Sequence, residues 1–359
     1  MTFLEQTKTL EQVKKEWVEQ CFNKSKSANS RRGANETLGK FIRFLTEKYP
    51  GYNEEQITTD LKALSDKNDV KLYLFMNDFV QWLIAQDYGS RSISHWFMFL
   101  KNYMRYNGIR IYNEDIKSYV KIPKPLKERK KPLDPQTIKE LVKRTGPFYG
   151  ALILVLASSG MRIGEVIRLR MSKLDMTKEP WMVSVMAENA KMREERRTFI
   201  SKEAMLALIS LIKDKKPEDL IFDFGTEDFT VILNNVESWF SDLRKRTGFK
   251  EKYSNGFHHV RIHAFRNFFI SQTEKIHEGF GHALAGHGRY MVEYENYTDD
   301  ELREFYLKVE PMLTIDGENR EKAKNATLTT ELKKVNDLQA LAIKLQDKIR
   351  RLEMQGKKH

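Results

Sequence analysis

The stretch 157-ASSGMRIGEV-166 decides how the rest of this chain is read. An apolar run, Tyr149 to Ala157, stops at the break Ser158-Ser159-Gly160, and Arg162 then opens an amphipathic helix. Downstream, 263-HAFR-266 puts His263 and Arg266 at i and i+3, on one helical face. Next comes 285-AGHG-288, a turn that brackets His287 with glycines, and then Tyr294 and Tyr297. Between the first and second of these motifs, Trp181 to Met186 and Arg197 to Ile200 are expected strands. The charged turn Ala187 to Arg196 joins them and carries Lys191, with Arg193, Arg196 and Arg197 as competing cations.

The segments around these motifs suggest a chain in five parts. Residues 1–30 form a polar, helical N-terminal arm ending in a Lys/Ser-rich stretch. Residues 31–121 are helical throughout, with Leu38, Phe41, Ile42 and Leu45 at three- and four-residue spacing. Leu72, Phe75, Phe79 and Leu83 continue the pattern, followed after Gly89 by Ile93, Trp96, Phe97, Leu100 and Tyr103. Ser90 or Ser92 is the expected cap of that last helix, and Gly108 suits its end. Residues 122–134, IPKPLKERKKPLD, are the clearest boundary. Three prolines and five basic residues favour an extended, solvated connector.

Residues 135–315 mix helices with the short strand region. Helices are expected around Lys202 to Lys213, Thr230 to Gly248 and His263 to Lys275, and Leu302, Phe305, Tyr306, Val309 and Leu313 close the segment. In the tail, 316–359, Val335, Leu338, Ala342, Leu345, Ile349 and Leu352 repeat at heptad spacing, which reads as a helix or short coiled coil. The fold class is therefore mainly α with a small β-hairpin or sheet and a C-terminal helical tail.

With 62 Lys and Arg against 50 acidic residues the chain carries +12, which favours a polyanionic partner, nucleic acid ahead of membrane. Hydrophobic content of 40% supports ordinary globular cores. A lone Cys21 rules out an internal disulfide and fits a reducing compartment. The N-terminus lacks the apolar core of a signal peptide, and no apolar run approaches a membrane span. A cytoplasmic, nucleoid-associated protein is expected.

The ordered set of Arg, Lys, His-x-x-Arg, Gly-His and Tyr resembles the tyrosine recombinase, or phage integrase, family. The resemblance covers 135–315, with 294-YENYTDDELR-303 and 305-FYLKVEPMLTI-315 similar to archaeal and archaeal-virus integrases. A single GxRxxE or HxxR arises often by chance; six elements in family order do not. The resemblance implies a helical core-binding domain over 31–121 and a recombinase catalytic domain over 135–315. It also implies double-stranded DNA sites as partners, a tetramer on two sites, and monomers or dimers off DNA. No metal, cofactor, ATP or membrane is implied.

It further implies roles. Attack on a phosphodiester builds charge on the non-bridging oxygens, and Arg162 and Arg266 are the rigid, always-charged forks that would hold it. Lys191 would protonate the leaving 5′ oxygen, and His263 and His287 would take or share the tyrosine proton. Glu165 is expected to orient its neighbours rather than perform chemistry. A phenol with an ordinary pKa of about 10 needs nearby cations to become a nucleophile. In most members that tyrosine lies nine residues after the Gly-His histidine, where this chain has Asn296. Tyr294, at seven, matches the archaeal-type pattern, and Tyr297, at ten, is the alternative. Candidate DNA contacts are Lys24, Lys26, Arg31, Arg32, Arg91, Lys101 and Arg105, with Lys124, Lys127, Arg129, Lys130 and Lys131 in the connector.

Two other motifs fail. In 33-GANETLGKF-41 the glycines are spaced wrongly for a phosphate-binding loop, and Phe41 stands where Ser or Thr would hold magnesium. His258, His259 and His263 lack the carboxylate pattern of a metal site. Rival functions are type IB topoisomerase-like strand relaxation and a non-catalytic DNA-binding protein on an integrase scaffold.

Overall fold

The computed structural model describes residues 8–318 except 126, 127, 130, 190–193, 295 and the side chains of 289 and 293, and scattered residues between 320 and 346. It divides into two compact units, Met1–Lys127 and Glu128–His359.

The first unit is helical: α1 (Leu10–Ser25), α2 (Ala28–Lys48), α3 (Glu54–Asp66), α4 (Lys71–Ala85), α5 (Ser90–Tyr106) and α6 (Asn113–Tyr119). The three- and four-residue spacing of Leu72, Phe75, Phe79 and Leu83 works as expected: all four are buried on α4. They meet Phe41 and Phe44 of α2, with the Phe44 and Phe79 rings 5.3 Å apart and near perpendicular. The stretch read as a polar arm packs more closely than its composition suggests. Trp17 of α1 is fully buried, 5.0 Å from the Tyr103 ring. Neither Ser90 nor Ser92 caps α5, because the helix starts one residue too early, with Gly89 at the cap position and no side-chain cap. Gly108 does follow its end, at φ +82°.

The second unit is built around α8 (Pro147–Ser159), buried from Gly150 to Ser159. Left-handed Gly160 ends it, at φ +65°. Around it stand α7 (Pro135–Lys143), α9 (Ile163–Val166), α10 (Lys202–Ile212), α11 (Phe229–Arg246), α12 (Ile262–Thr273), α13 (Phe280–Ala285), α14 (Gly288–Tyr294) and α15 (Asp299–Leu313). The helix after Arg162 is a single turn, shorter than its pattern suggested. The two expected strands are β2 (Met182–Val185) and β3 (Arg196–Phe199), antiparallel, with Met182 opposite Phe199 and Val185 opposite Arg196. A two-residue strand, β1 (Leu174–Asp175), adds to the β2 edge and is too short to announce itself by alternation. The architecture is mainly helical with this small sheet, as the sequence indicated.

Among the described residues no helix is long and apolar enough to cross a membrane. The described tail residues are helical, and Leu328, Leu332, Leu338 and Leu345 are exposed. Val335, Ile349 and Leu352 of the heptad series lie outside the described residues.

Candidate active site

Glu165 is the hub of a buried charge cluster in the second unit. It is 3% exposed and sits on the one-turn helix α9. Its carboxylate accepts from the backbone N–H of Arg162 (2.7 Å) and from the Arg162 side chain (3.0 Å). It also accepts twice from Arg196, at 2.6 and 3.2 Å. Burial alone would raise this carboxyl; the hydrogen bond and charge of Arg196 outweigh it and hold the group below the ordinary carboxylate range. Arg196 is itself buried and donates Nε–H to the Leu284 carbonyl. The sequence placed it at the end of the charged turn Ala187 to Arg196, whereas it opens β3 and points into the cluster. Its partner lies 31 residues upstream, which no local pattern reveals.

Arg266 enters the same cluster from α12. It is 2% exposed and donates Nη1–H to the Gly160 carbonyl at 2.7 Å, while its Nη2 is buried with no hydrogen-bond partner. Burial, reinforced by the positive charges of Arg162 and Arg196, pulls its pKa far below the ordinary arginine value, to about 9. The guanidinium stays charged at neutral pH. Three arginines facing one carboxylate leave an excess of positive charge at the protein surface end of this cluster, where Arg162 is 24% exposed.

His287 lies in the turn between α13 and α14. Burial first, then the charges of Arg266, His282, Arg162 and Arg196, lower its pKa from 6.5 to about 4, so it is neutral at physiological pH. Its Nδ1 is 2.6 Å from Nδ1 of His282, whose ring stacks on Tyr290 at 4.7 Å. Gly286 must be glycine on two counts. Its φ is +79°, and a Cβ there would meet Arg196 Cδ and Nε at 2.9 Å.

Tyr294 ends α14 and is buried, 8% exposed. Its hydroxyl hydrogen-bonds His277 Nδ1 (2.9 Å) and the Glu278 carbonyl (2.8 Å). Tyr297 is half-buried beside it, with ring centroids 5.4 Å apart. Both tyrosines line a cavity of about 290 Å³ together with Arg196, Arg197 and Leu284. His263 stands exposed one turn before Arg266 on α12. Lys191 lies outside the described residues, as do Lys127 and Lys130. Sequence reasoning named Arg196 only as a cation competing with Lys191, and passed over His282 and His277. Only His282, five residues before His287 and spaced to share its turn, carried a readable signal.

Of the candidate DNA contacts, Lys24, Arg91, Lys124 and Arg129 are exposed. Others are engaged within the protein: Arg31 with Glu19 (2.7 Å), Arg32 with Glu36 (2.8 Å) and Arg105 with the Ile111 carbonyl (2.7 Å). Lys26 reaches Asn23 (2.9 Å), Lys101 reaches Asn113 (3.4 Å), and Lys131 lies 3.8 Å from Glu251.

With this geometry in view, comparison with known proteins gives a consistent answer. Residues 133–284 match the model of the phage integrase family. The second unit carries a phage integrase family domain. Its activity is accordingly that of the tyrosine recombinases, the breaking and rejoining of DNA strands. The chain is similar in fold to the Tn1549 transposon integrase in complex with transposon right end DNA. That match has 14% identity, covers 81% of this chain and 97% of that one, and has a TM-score of 0.54. It is also similar to a lambda integrase dimer bound to a COC′ core site, at 15% identity, 81% and 79% coverage and a TM-score of 0.53. No curated protein matches the chain.

Proposed function

We propose that this integrase acts as a site-specific recombinase in which Arg162 and Arg266 grip the scissile phosphate and Tyr294 attacks it. The observation that carries the reading is the buried Nη2 of Arg266, which has no partner, beside Arg162 and Arg196, which share the Glu165 carboxylate. A buried donor left unmade costs stability, and a phosphate oxygen is the acceptor its planar fork suits. Neutral His287 and exposed His263 handle the tyrosine proton. Lys191 delivers a proton to the leaving 5′ oxygen. The product is a 3′-phosphotyrosine, whose retained ester energy allows resealing without ATP or cofactor. Strand exchange then passes through a Holliday junction.

In this reading Tyr294 must first leave His277 and the Glu278 carbonyl, since its hydroxyl is engaged there. Tyr297 is the alternative nucleophile. The first unit is a core-binding domain whose exposed cations, with those of the connector, contact DNA phosphates. The active assembly is a tetramer on two DNA sites, formed from monomers or dimers. The spacing around Tyr294 aligns the chain with archaeal-type integrases.

A nicked suicide duplex bearing the target site tests the proposal. The unmodified protein should form a covalent adduct and Tyr294→Phe should abolish it. Adduct formation by Tyr294→Phe but not by Tyr297→Phe moves the nucleophile to Tyr297. Absence of any adduct on the proper site removes the recombinase reading.

A further inference from the structure

We infer that His282 is a positioning residue for the strand-cleavage reaction, acting through His287 by occupying its Nδ1 and presenting Nε2 to the reacting groups. The inference rests on the recombinase reading above. The geometry is specific. The two Nδ1 atoms lie 2.6 Å apart, with ring centroids at 4.8 Å and planes tilted by 34°. Two nitrogens at that distance must share one proton between a donor and an acceptor. With Nδ1 engaged, His287 has a single ring nitrogen left for the site.

His282 is held by contacts besides the imidazole pair. Its ring is stacked on Tyr290, nearly parallel at 16°. Its backbone N–H approaches Glu274 Oε1 at 3.4 Å, and its carbonyl accepts the His287 N–H at 3.0 Å. A five-residue loop thus closes on itself twice, once through backbone and once through imidazoles. The result fixes the His287 ring against rotation about its own side-chain bonds, as an orienting partner does for a general acid or base.

The pair also has an electrostatic logic. Burial first, and then the charges of Arg266, His282, Arg162 and Arg196, keep His287 neutral. Glu274 and Tyr290 face His282. Protonating both imidazoles would set two Nδ1–H donors against each other at 2.6 Å and break the bond. The coupling therefore holds only while at least one of the two rings is neutral.

Single-turnover cleavage of the suicide duplex, measured across pH, tests the role. His282→Leu removes the Nδ1 partner. It should slow cleavage about tenfold or more, a modest part of what acid–base groups contribute. His282→Asn places an amide near the same position and should recover most of that loss, while changing the acidic limb of the pH profile. His287→Ala serves as the reference for loss of the histidine itself. The second measurement needs no activity: in protein labelled with 15N-histidine, a scalar coupling across the Nδ1–Nδ1 hydrogen bond should be present and should vanish in His282→Leu. If the unmodified protein forms no adduct, the recombinase reading fails and this role fails with it. If adduct forms but the coupling is absent, only the role of His282 is overturned. The same holds if His282→Leu cleaves like the unmodified protein while His287→Ala does not, or if Leu and Asn are equally impaired.

Discussion

Replacing Glu165 by glutamine would remove the charge that holds two arginines in place. The pair is deep: the side chains of Arg196 and Glu165 are 4% and 2% exposed, and their shortest contact is 2.6 Å. Removing one partner of a buried pair costs about 3–5 kcal/mol, because the remaining charge is stranded in a medium that solvates it poorly. Two features argue for the lower end. Arg196 keeps its bond to the Leu284 carbonyl, and glutamine still offers an oxygen acceptor. A loss of about 3 kcal/mol is therefore expected. In a unit of this size each kcal/mol moves the unfolding midpoint by roughly 2–4 °C, so Glu165→Gln should melt about 6–12 °C lower. Thermal unfolding followed by calorimetry at pH 7 measures this directly. The shift should persist in moderate salt, since buried pairs are little screened. Asp300→Asn breaks a pair with Lys178 whose side chains are 57% and 66% exposed, and its midpoint should barely move. A Glu165→Gln midpoint within about 2 °C of the unmodified protein would refute the claim that this carboxylate organises the cluster.

Two further outcomes follow from the same site. Gly286→Ala should pay about 1–2 kcal/mol for its left-handed backbone and should also push Arg196 off Glu165, so cleavage falls with stability. Gly225→Ala, at φ +73° with nothing within 4 Å, carries the backbone cost alone, and equal effects at the two positions would count against the steric argument. Acid should weaken the second unit in two stages. His287 has a folded pKa of about 4 against 6.5 when unfolded, so the unfolded state takes up its proton first and stability declines as pH falls from 6.5 to 4. Glu165, depressed in the folded state, contributes stability that is present above its unfolded pKa and lost as pH falls through the lower folded value. Urea midpoints across pH should show His287→Asn flattening the upper stage only; a curve parallel to the unmodified protein's would remove His287 as its source.

Much of the fold was legible because periodicity is local. The apolar repeat of α4 reports a face that must be buried, and the short apolar run 182–185 reports a strand buried at three of its four positions. What sequence reading missed depends on partners far along the chain. Arg196 sits among Glu194, Glu195 and Arg197 and looks like one more surface charge, yet its burial is set by Glu165. Polar composition likewise made 1–30 look like a free arm, although Trp17 and Val18 of α1 are buried in a core. Ser90 failed as a cap because the helix begins on it, with Gly89 at the cap position, a one-residue difference that propensity does not resolve. Of the site, Arg162, Arg266 and His287 could be singled out by order and type. The way Glu165 joins Arg162 to Arg196, and the pairing of His282 with His287, could not.

The end of α8 shows how such a site tolerates sequence change elsewhere. Three consecutive carbonyls there accept side-chain donors from three different elements: Ser158 from Tyr306 of α15, Ser159 from Thr198 of β3, and Gly160 from Arg266 of α12. A helix terminus normally leaves such carbonyls to water or to its own last turn. Here they act as a ruler, with each neighbouring element reading its position from a different mark. A one-residue insertion or deletion in α8 would shift all three marks together and misalign three elements at once. Length changes in the mostly exposed turn just after α10, residues 213–216, would leave the ruler untouched. Evolutionary drift in this protein is therefore channelled outward, to the loops, while the arginine cluster keeps its gauge.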